Sequence, residues 1–551
     1  MPLDRKPQAR NRSRDWLTVL SIVAGLSVLS LAALAYCLSQ GYVLYYGDAQ
    51  AHLNIARRIT DSRTPGYEQI GTVWLPLPHL LALPLVQNFG WWLTGLAGAL
   101  PSMVAFVLAG CFIYLAARRY FDSLDAAVLA LVVFALNPNL LYLQSTPMTE
   151  SLQMAGVTGL FYALISYRAS GHAGWILLAG AAALVSTLTR YEGWFLLPFA
   201  ALAVVSRPGD TVRRRLAMMT LFSLLALAGP ASWLVHNRVL YSDPLEFYHG
   251  PYSAKAIYQR ALDAKMEPYP GDHDIFQAAR YYATAVLLNV EWPAFTLGLL
   301  GAVTLVLRSF WMMAFLALPV LFYLISMFSS GTPIFLPYLY PNSYYNVRYG
   351  LAALPFVAIA AGAVAETFPE YWRRRATICF AMGAMLPWLV SGPADWICWK
   401  ESQVNSEARR TWTAEAAGYL NKNYQLGQGI VTSFGDLAGI FPAAGIPFSE
   451  TLHEGNGPAF HAAVLRPDLF LFEEWAVVQC GDKVQKALMA SLGGPRYRLV
   501  KRIALPHEQV VEIYRRDRAR IGLDDTPYDE YWNRTTEEDA DDHLDEGEVS
   551  P

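Results

Sequence analysis

The sequence predicts a polytopic α-helical membrane protein with about eleven transmembrane helices and a C-terminal extracytoplasmic α/β domain. Three observations lead to this fold class. Long apolar runs alternate with polar loops, clustered arginines fall in every second loop, and strand and helix signals alternate after residue 394. A hydrophobic content of 54% and a mean hydropathy of +0.25 exclude an ordinary soluble protein for most of the chain.

The apolar runs define the predicted spans. A helix needs about 20 apolar residues to cross roughly 30 Å of hydrocarbon, and somewhat shorter runs also qualify. The predicted spans are 16–38, 91–117, 124–142, 151–167, 174–189, 193–206, 216–236, 281–307, 309–330, 346–366 and 376–393.

The arginines set the predicted orientation, because cytoplasmic loops carry the Lys and Arg excess. With the basic N-terminus inside, every alternate loop is also basic. These loops contain Arg118 and Arg119, Arg168, Arg207 with Arg213 to Arg215, Arg308, and Arg373 to Arg375. An odd number of spans then places 394–551 outside. We therefore expect a multi-pass protein of the inner or plasma membrane, with a cytoplasmic N-terminus and an extracytoplasmic C-terminus.

Four regions follow from this reading: a basic N-terminus (1–15), a membrane domain (16–393), an α/β domain (394–518) and an acidic tail (519–551). Within the tail, residues 521–551 hold twelve acids and one arginine, so it is expected to be disordered.

The α/β domain has recognisable strand signals but no recognisable nucleotide site. A helix near 406–422 is followed by strand candidates at 429–434, 446–448, 469–472, 497–500 and 510–513. It has no P-loop and no dinucleotide glycine pattern, so acceptor binding and subunit contact both remain open roles.

The five cysteines show no metal-ligand spacing. Only Cys398 and Cys480 fall in the predicted outer region. They either form a disulfide or remain free thiols, because their spacing in the sequence does not fix the geometry that a disulfide needs.

Asp48 and His52 are the first candidate site residues. They open a predicted helix just after the first span and, four residues apart, share one face. A carboxylate is favoured near a helix start. Asp48 therefore reads either as a functional acid or as a simple helix cap.

Acids and an arginine recur in the next two outer turns. Glu150 opens an apolar helix, where an ionisable residue is by default a functional hypothesis. The alternative is an acid stabilised by the helix dipole. Arg190, Tyr191 and Glu192 then lie between two predicted helices. Arg190 suits a phosphate because of its planar donor fork, or it pairs locally with Glu192.

The last core loop carries Tyr345, Arg348 and Tyr349 into an apolar helix. Arg348 either extends to the membrane surface or binds a lipid-linked phosphate beside the other polar loops. We favour the phosphate interpretation.

Together these residues resemble the GT-C superfamily of integral-membrane glycosyltransferases, most closely the branch of protein O-mannosyltransferases and lipid A aminoarabinose transferases. Asp48 matches the family's first-loop acid, 147–150 resembles its Thr-Glu turn, and Arg348 with Tyr349 resembles its late Arg-Tyr pair. Each motif is short, but their order and common side add specificity. The resemblance covers about 16–393 and makes this the catalytic domain.

Two departures from the family pattern stand out. Many relatives have paired acids in the first loop, whereas Ala49 and Gln50 follow Asp48, so His52 or Glu68 takes part of that role. The chain also lacks the Trp-Trp-Asp motif of oligosaccharyltransferases, which argues against transfer of a whole glycan to asparagine.

The resemblance implies transfer of a hexose- or pentose-type sugar from a polyprenyl phosphate donor to a glycan, lipid or protein acceptor, with inversion. Asp48 and Glu150 would be catalytic. The residues that would bind substrate are His52, Glu68, Arg190, Tyr191, Glu192, Tyr345, Arg348 and Tyr349. A divalent metal on Asp48 and His52 is an option that two residues do not define. No nucleic acid partner is expected.

Two other classes compete with this interpretation. A transporter or flippase of lipid-linked saccharides would show internal repeats and polar residues at the bilayer midplane. Here the charges lie at span ends, which favours an enzyme. An anchored ectodomain without catalysis would not need eleven spans.

Overall fold

The computed structural model describes residues 12–490, 496–506 and 508–517. The predicted acidic tail (519–551) and residues 1–11 of the predicted basic N-terminus lie outside these ranges.

The first half of the membrane part is helical. Its helices are α1 (Arg12–Ser39), α2 (Gly47–Arg58), α3 (Leu77–Ala82), α4 (Phe89–Thr94), α5 (Leu96–Phe121), α6 (Leu124–Ala135), α7 (Pro138–Gln144), α8 (Glu150–Ser170) and α9 (Gly174–Thr187). A 3-10 helix, Tyr67–Ile70, lies between α2 and α3.

The second half continues this pattern. Its helices are α10 (Glu192–Val205), α11 (Val212–Ala226), α12 (Ala228–Tyr241), α13 (Glu246–His249), α14 (Ala254–Asp263), α15 (Ile275–Leu316), α16 (Leu318–Phe328), α17 (Leu354–Ala365) and α18 (Glu370–Val390). The 3-10 helix Val347–Ala353 leads directly into α17.

Helix length shows which spans are complete. Among the described residues, four helices are long and apolar enough to cross a membrane: Trp16–Ser39, Leu96–Phe121, Ile275–Leu316 and Val347–Ala365. Two bent pairs, α6 with α7 (62°) and α11 with α12 (41°), raise this to six if each is one span. The helices α9, α10 and α16 are shorter and apolar. The predicted apolar runs are mostly helical, and the predicted fold class is confirmed.

A buried asparagine joins the bent elements. In α15 the carbonyl of Asn289 has no helical partner four residues on, because the helix is broken at Glu291 and Pro293 has no N–H. Asn137 and Asn139 donate to this carbonyl at 2.8 and 3.2 Å. The side-chain nitrogen of Asn289 donates to Val347 O at 2.7 Å. One residue therefore ties α7 to the segment before α17.

Small residues allow the central helices to approach closely. α17 packs against α6 and α15, and its alanines are fully buried. A Cβ on Gly301 of α15 would lie 1.8 Å from Ala360 O. The backbones are therefore in direct contact here, as is common between membrane helices.

The basic loops meet at one end of the bundle. Arg168 donates to Ser206 Oγ at 3.0 Å, and Arg119 lies 5.4 Å from the Trp175 ring centre. Arg308 donates to the backbone oxygen of Glu366 at 3.3 Å. These contacts bring alternate loops together, as the charge pattern requires.

The C-terminal part is a mixed sheet with helices. It comprises α19 (Ile397–Asn423), β1 (Ile430–Thr432), α20 (Ile440–Ala443), β2 (Thr451–Leu452), α21 (Pro458–Leu465), α22 (Pro467–Phe470), β3 (Trp475–Gln479), α23 (Lys483–Ala490), β4 (Tyr497–Ile503) and β5 (Val511–Arg516). The strand order is β2-β1-β3-β5-β4, with β1 parallel to β2 and β3, and β5 antiparallel to β3 and β4.

Three predicted strands coincide with β1, β4 and β5. The candidates at 446–448 and 469–472 are wrong, because Pro447 precedes a 3-10 turn and Pro467 opens α22. The strands lie a few residues further on. Cys398 is buried and Cys480 exposed, and both thiols are free.

The sheet packs directly onto the loop that follows α1. Arg63 forms an ion pair with Glu473, and Asp61 accepts from the Ser449 amide at 3.0 Å. Gln69 donates to the backbone oxygen of Gly455 at 2.7 Å. The first loop thus lies between the helical bundle and the sheet.

Candidate active site

Asp48 occupies the first turn of α2 without capping it. The N-cap residue is Tyr46, and no side chain caps the helix. The Asp48 carboxylate instead accepts a hydrogen bond from Arg348 Nη2. The structure therefore does not support the interpretation of Asp48 as a helix cap.

Arg348 lies at the centre of a buried ion cluster. Besides Asp48, its guanidinium contacts Glu150 Oε1 at 3.3 Å and Glu401 Oε1 at 3.4 Å. The rings of Tyr46 and Tyr349 each lie 5.0 Å from its central carbon. With only 8% of its side chain exposed, Arg348 does not extend to the membrane surface.

Glu150 bridges two arginines. Its Oε1 lies 3.2 Å from Arg190 Nη1 and 3.3 Å from Arg348 Nε. Its other oxygen is buried without a hydrogen-bond partner among the described residues. The free oxygen leaves capacity for a ligand donor.

Arg190 approaches the cluster from the turn before α10. It donates to Thr149 Oγ1 at 3.0 Å and to the Tyr323 hydroxyl at 2.8 Å. Its local pair with Glu192 is longer, at 3.7 Å. Its guanidinium lies 4.9 Å from the ring centre of Tyr349, the same ring that Arg348 contacts. Tyr349 is therefore shared by both cations.

The cluster holds more carboxylates than guanidiniums. Arg190 and Arg348 contact four acids: Asp48, Glu150, Glu192 and Glu401. Asp48 is 41% exposed, whereas the other three acids are at most 7% exposed. Asp48 is therefore the most accessible of the four acids.

Two small cavities lie against the start of α8. Each holds about 20 Å³, enough for roughly one water. The polar cavity is lined by Glu150, Gln153, Met154, Arg190, Glu192, Tyr323, Arg348, Tyr349 and Ala352. The other is mainly apolar and is lined by His52, Leu53, Pro78, Ala82, Gly98, Pro101, Ser102, Pro147, Met148 and Leu152. A larger ligand therefore requires the site to open.

His52 is paired with a second histidine. Its Nδ1 lies 2.9 Å from His79 Nε2, and its ring centre lies 4.5 Å from that of Trp74. Burial lowers the pKa of His52 to about 4, so the ring is neutral near pH 7. Its contacts make it a wall of the apolar cavity.

The structure adds no further ligands to the possible metal site at Asp48 and His52. Asp48 is engaged by Arg348, and His52 by His79. No group of three or more His, Cys, Asp or Glu in the described part of the chain is arranged to hold a metal ion.

The structure places two predicted residues away from the cluster and one at its edge. Glu68 is exposed in the 3-10 helix after α2. The Tyr191 hydroxyl donates to Val73 O at 2.8 Å, and its ring stacks on Phe247 at 4.8 Å. Tyr345 is 47% exposed and pairs through its backbone with Phe335. Neither Glu68 nor Tyr191 touches the ion cluster, so their expected role at this site is not supported.

Sequence reasoning missed Glu401, Tyr46 and Tyr323. Glu401 is only 1% exposed although it belongs to a helix outside the predicted spans. The helix has mixed polarity, so the sequence around Glu401 carries no signal that this acid is buried.

The resemblance to GT-C membrane glycosyltransferases inferred from the sequence agrees with similarities to a solved structure and to a family profile. A crystal structure of ArnT from Cupriavidus metallidurans bound to undecaprenyl phosphate superimposes with a TM-score of 0.55 and 13% identity, covering 88% of this chain and 97% of that chain. The apo form of the same protein gives a TM-score of 0.53 with the same identity and coverage. At this identity the likeness shows the fold.

Residues 84–236 match the family described as dolichyl-phosphate-mannose-protein mannosyltransferase. This region contains Glu150, Arg190 and Glu192 but neither Asp48 nor Arg348. No curated protein matches the chain.

Proposed function

We propose that this chain is a membrane glycosyltransferase that moves one hexose- or pentose-type sugar from a polyprenyl phosphate donor to an acceptor on the outer face. The acceptor is a hydroxyl of a glycan, lipid or protein. The observation that carries the proposal is the paired arginine site, in which Arg190 and Arg348 flank Tyr349 beside the exposed Asp48.

The two arginines suit the donor phosphate. Both guanidiniums line the polar cavity, and both are largely buried. Their donor forks match phosphate oxygens, and partial removal from water strengthens the interaction. The ArnT structure bound to undecaprenyl phosphate supports a polyprenyl phosphate donor. The apolar cavity beside His52 would receive the adjoining prenyl carbons once the site opens.

Donor binding changes the partners of Arg348. Three carboxylates already surround its guanidinium, and Asp48 is the exposed one. Phosphate oxygens therefore replace Asp48 most easily. The displaced carboxylate remains next to the reacting sugar and becomes available as a general base.

The chemistry then follows in one displacement. The acceptor hydroxyl gives its proton to Asp48 while its oxygen bonds to the anomeric carbon. The bond from that carbon to the phosphate oxygen breaks, and its electron pair stays on the polyprenyl phosphate. Arg348 and Arg190 stabilise the charge that develops there. Attack opposite the leaving group inverts the anomeric centre.

Mass analysis of membrane lipids and glycans tests the proposal in cells with and without the chain. We expect a glycan or lipid to lose one sugar residue without the chain, and the parent chain to restore it. Asp48→Asn should not restore it, whereas Asp125→Asn should, because Asp125 is a first-turn acid of α6 outside the cluster. Identical profiles in both cell types would overturn the proposal, and accumulation of a saccharide lipid on one membrane face would favour a flippase.

A further inference from the structure

Glu401 lies in the first turns of α19, the helix that leaves the last predicted span and continues into the sheet. It is 1% exposed, and burial raises its pKa above the usual range. A carboxylate this deeply buried is costly unless specific partners hold it. Its partners are therefore informative.

Those partners are Arg348 itself and Tyr46, whose ring packs against the Arg348 guanidinium. Glu401 Oε2 accepts from the Arg348 backbone amide at 3.2 Å and lies 3.1 Å from the Tyr46 hydroxyl, which is shared with the Cys398 carbonyl at 2.8 Å. Its Oε1 lies 3.4 Å from Arg348 Nη1. Tyr46 in turn places its ring 5.0 Å from the guanidinium. One carboxylate thus contacts the backbone, the side chain and the supporting ring of Arg348.

We propose that Glu401 is a positioning residue that fixes the Arg348 guanidinium for the donor phosphate, so that the phosphate site depends on α19. The inference rests on the proposed function. A free arginine samples many rotamers, and ordering them on binding lowers affinity. Glu401 removes much of this freedom before the donor arrives. Asp48 can then leave Arg348 without releasing the guanidinium from its place.

If Glu401 had a purely structural role, its substitution would give a different result. Its removal would destabilise the chain, and any loss of binding would be independent of Arg348. A positioning acid acts through Arg348 and loses its effect once that side chain is absent. A double-mutant cycle separates the two roles.

The experiment measures binding of undecaprenyl phosphate to the full chain in nanodiscs. Glu401→Gln keeps the shape but places amide hydrogens against the guanidinium or the Arg348 amide. We expect about 10-fold weaker binding, in line with the loss of one charge-assisted hydrogen bond. Glu401→Asp retains the charge on a shorter side chain and should lose only part of the affinity. Glu407→Gln, an exposed acid on the same helix, should bind like the parent.

The Arg348→Ala background gives the decisive comparison, because there neither Glu401 variant should weaken binding further. If Glu401→Gln does not fold, Glu401→Asp serves for the same cycle. Parent-like binding by the folded Glu401 variants, or an equal loss in the Arg348→Ala background, overturns the inference alone. A parent chain that does not bind the probe contradicts the proposed donor class, and the positioning role with it.

Discussion

Asp48 and Arg348 are 300 residues apart in the chain and form an ion pair at the mouth of the buried cluster. The pair is asymmetric, since 41% of the Asp48 side chain is exposed and only 8% of that of Arg348. A ligand therefore separates the pair more easily by displacing Asp48 than by moving Arg348.

Replacing Asp48 tests its role as the base. Asp48→Asn keeps the side-chain volume and removes the proton acceptor, so turnover should fall at least about 100-fold. Binding of undecaprenyl phosphate should persist, because the competing negative charge has gone. Turnover and binding are measured on the same purified protein, with Asp125→Asn as control. Near-parental turnover would mean that Asp48 serves only the ion pair.

Arg348 is tested by donor binding. Arg348→Ala should weaken undecaprenyl phosphate binding by about 10- to 150-fold, the range expected for a lost charge-assisted hydrogen bond. Arg348→Lys should recover only part, because a point charge lacks the bidentate fork. The exposed Arg238 supplies a control, since Arg238→Ala should leave affinity unchanged. If both Arg348 variants bind like the parent, Arg190 becomes the candidate for phosphate.

The stability of the sheet region should fall in acid. Burial, with Arg58 and Arg63 nearby, lowers the pKa of His453 to about 2, and its Nδ1 accepts from the Gly455 amide at 3.0 Å. The unfolded ring has a pKa near 6.5, so unfolding takes up a proton below that pH. Stability is full above about pH 6.5 and declines toward pH 2, by up to about 1.4 kcal/mol per pH unit.

Thermal unfolding midpoints between pH 7.5 and pH 5 check this effect. His453→Asn offers another acceptor for the Gly455 amide but does not titrate, so its midpoint should depend less on pH. An unchanged slope in this variant would show that other groups dominate, among them His52, whose pKa is about 4.

Topology is tested with reporter fusions. The charge pattern predicts that a reporter after Pro393 is extracytoplasmic and that one after Phe368, in a basic loop, is cytoplasmic. The reverse pair of signals would place the ion cluster on the cytoplasmic face, where nucleotide-sugar donors are accessible.

The candidate site residues that could be predicted from the sequence are those that occupy an unusual position in it. Asp48, Glu150 and Arg348 are ionisable groups at the ends of apolar runs, a placement with an evident energetic cost. Glu401 belongs to a helix of mixed polarity, where an acid is ordinary unless the helix is known to pack on Arg348. Its burial is a tertiary property that no local pattern contains.

Glu68 and Tyr191 show the opposite limit. Both lie near members of the ion cluster in the chain, yet Glu68 is exposed and the Tyr191 hydroxyl donates to Val73 O. Sequence proximity gave no information about side-chain direction. The missed strand β2 posed a similar difficulty, because its two residues are too few for an alternation pattern.

Pro293 affects residues far from its own helix. Because it supplies no N–H and the helix is broken at Glu291, the Asn289 carbonyl is available to two asparagines. The Asn289 side chain donates to Val347 O and accepts from Cys398 Sγ at 3.1 Å. The peptide just before Arg348 and the start of α19 thus share one anchor. Substitution therefore has more freedom at the exposed Tyr345 than at the buried Val347, where a larger side chain would also disturb a helix junction.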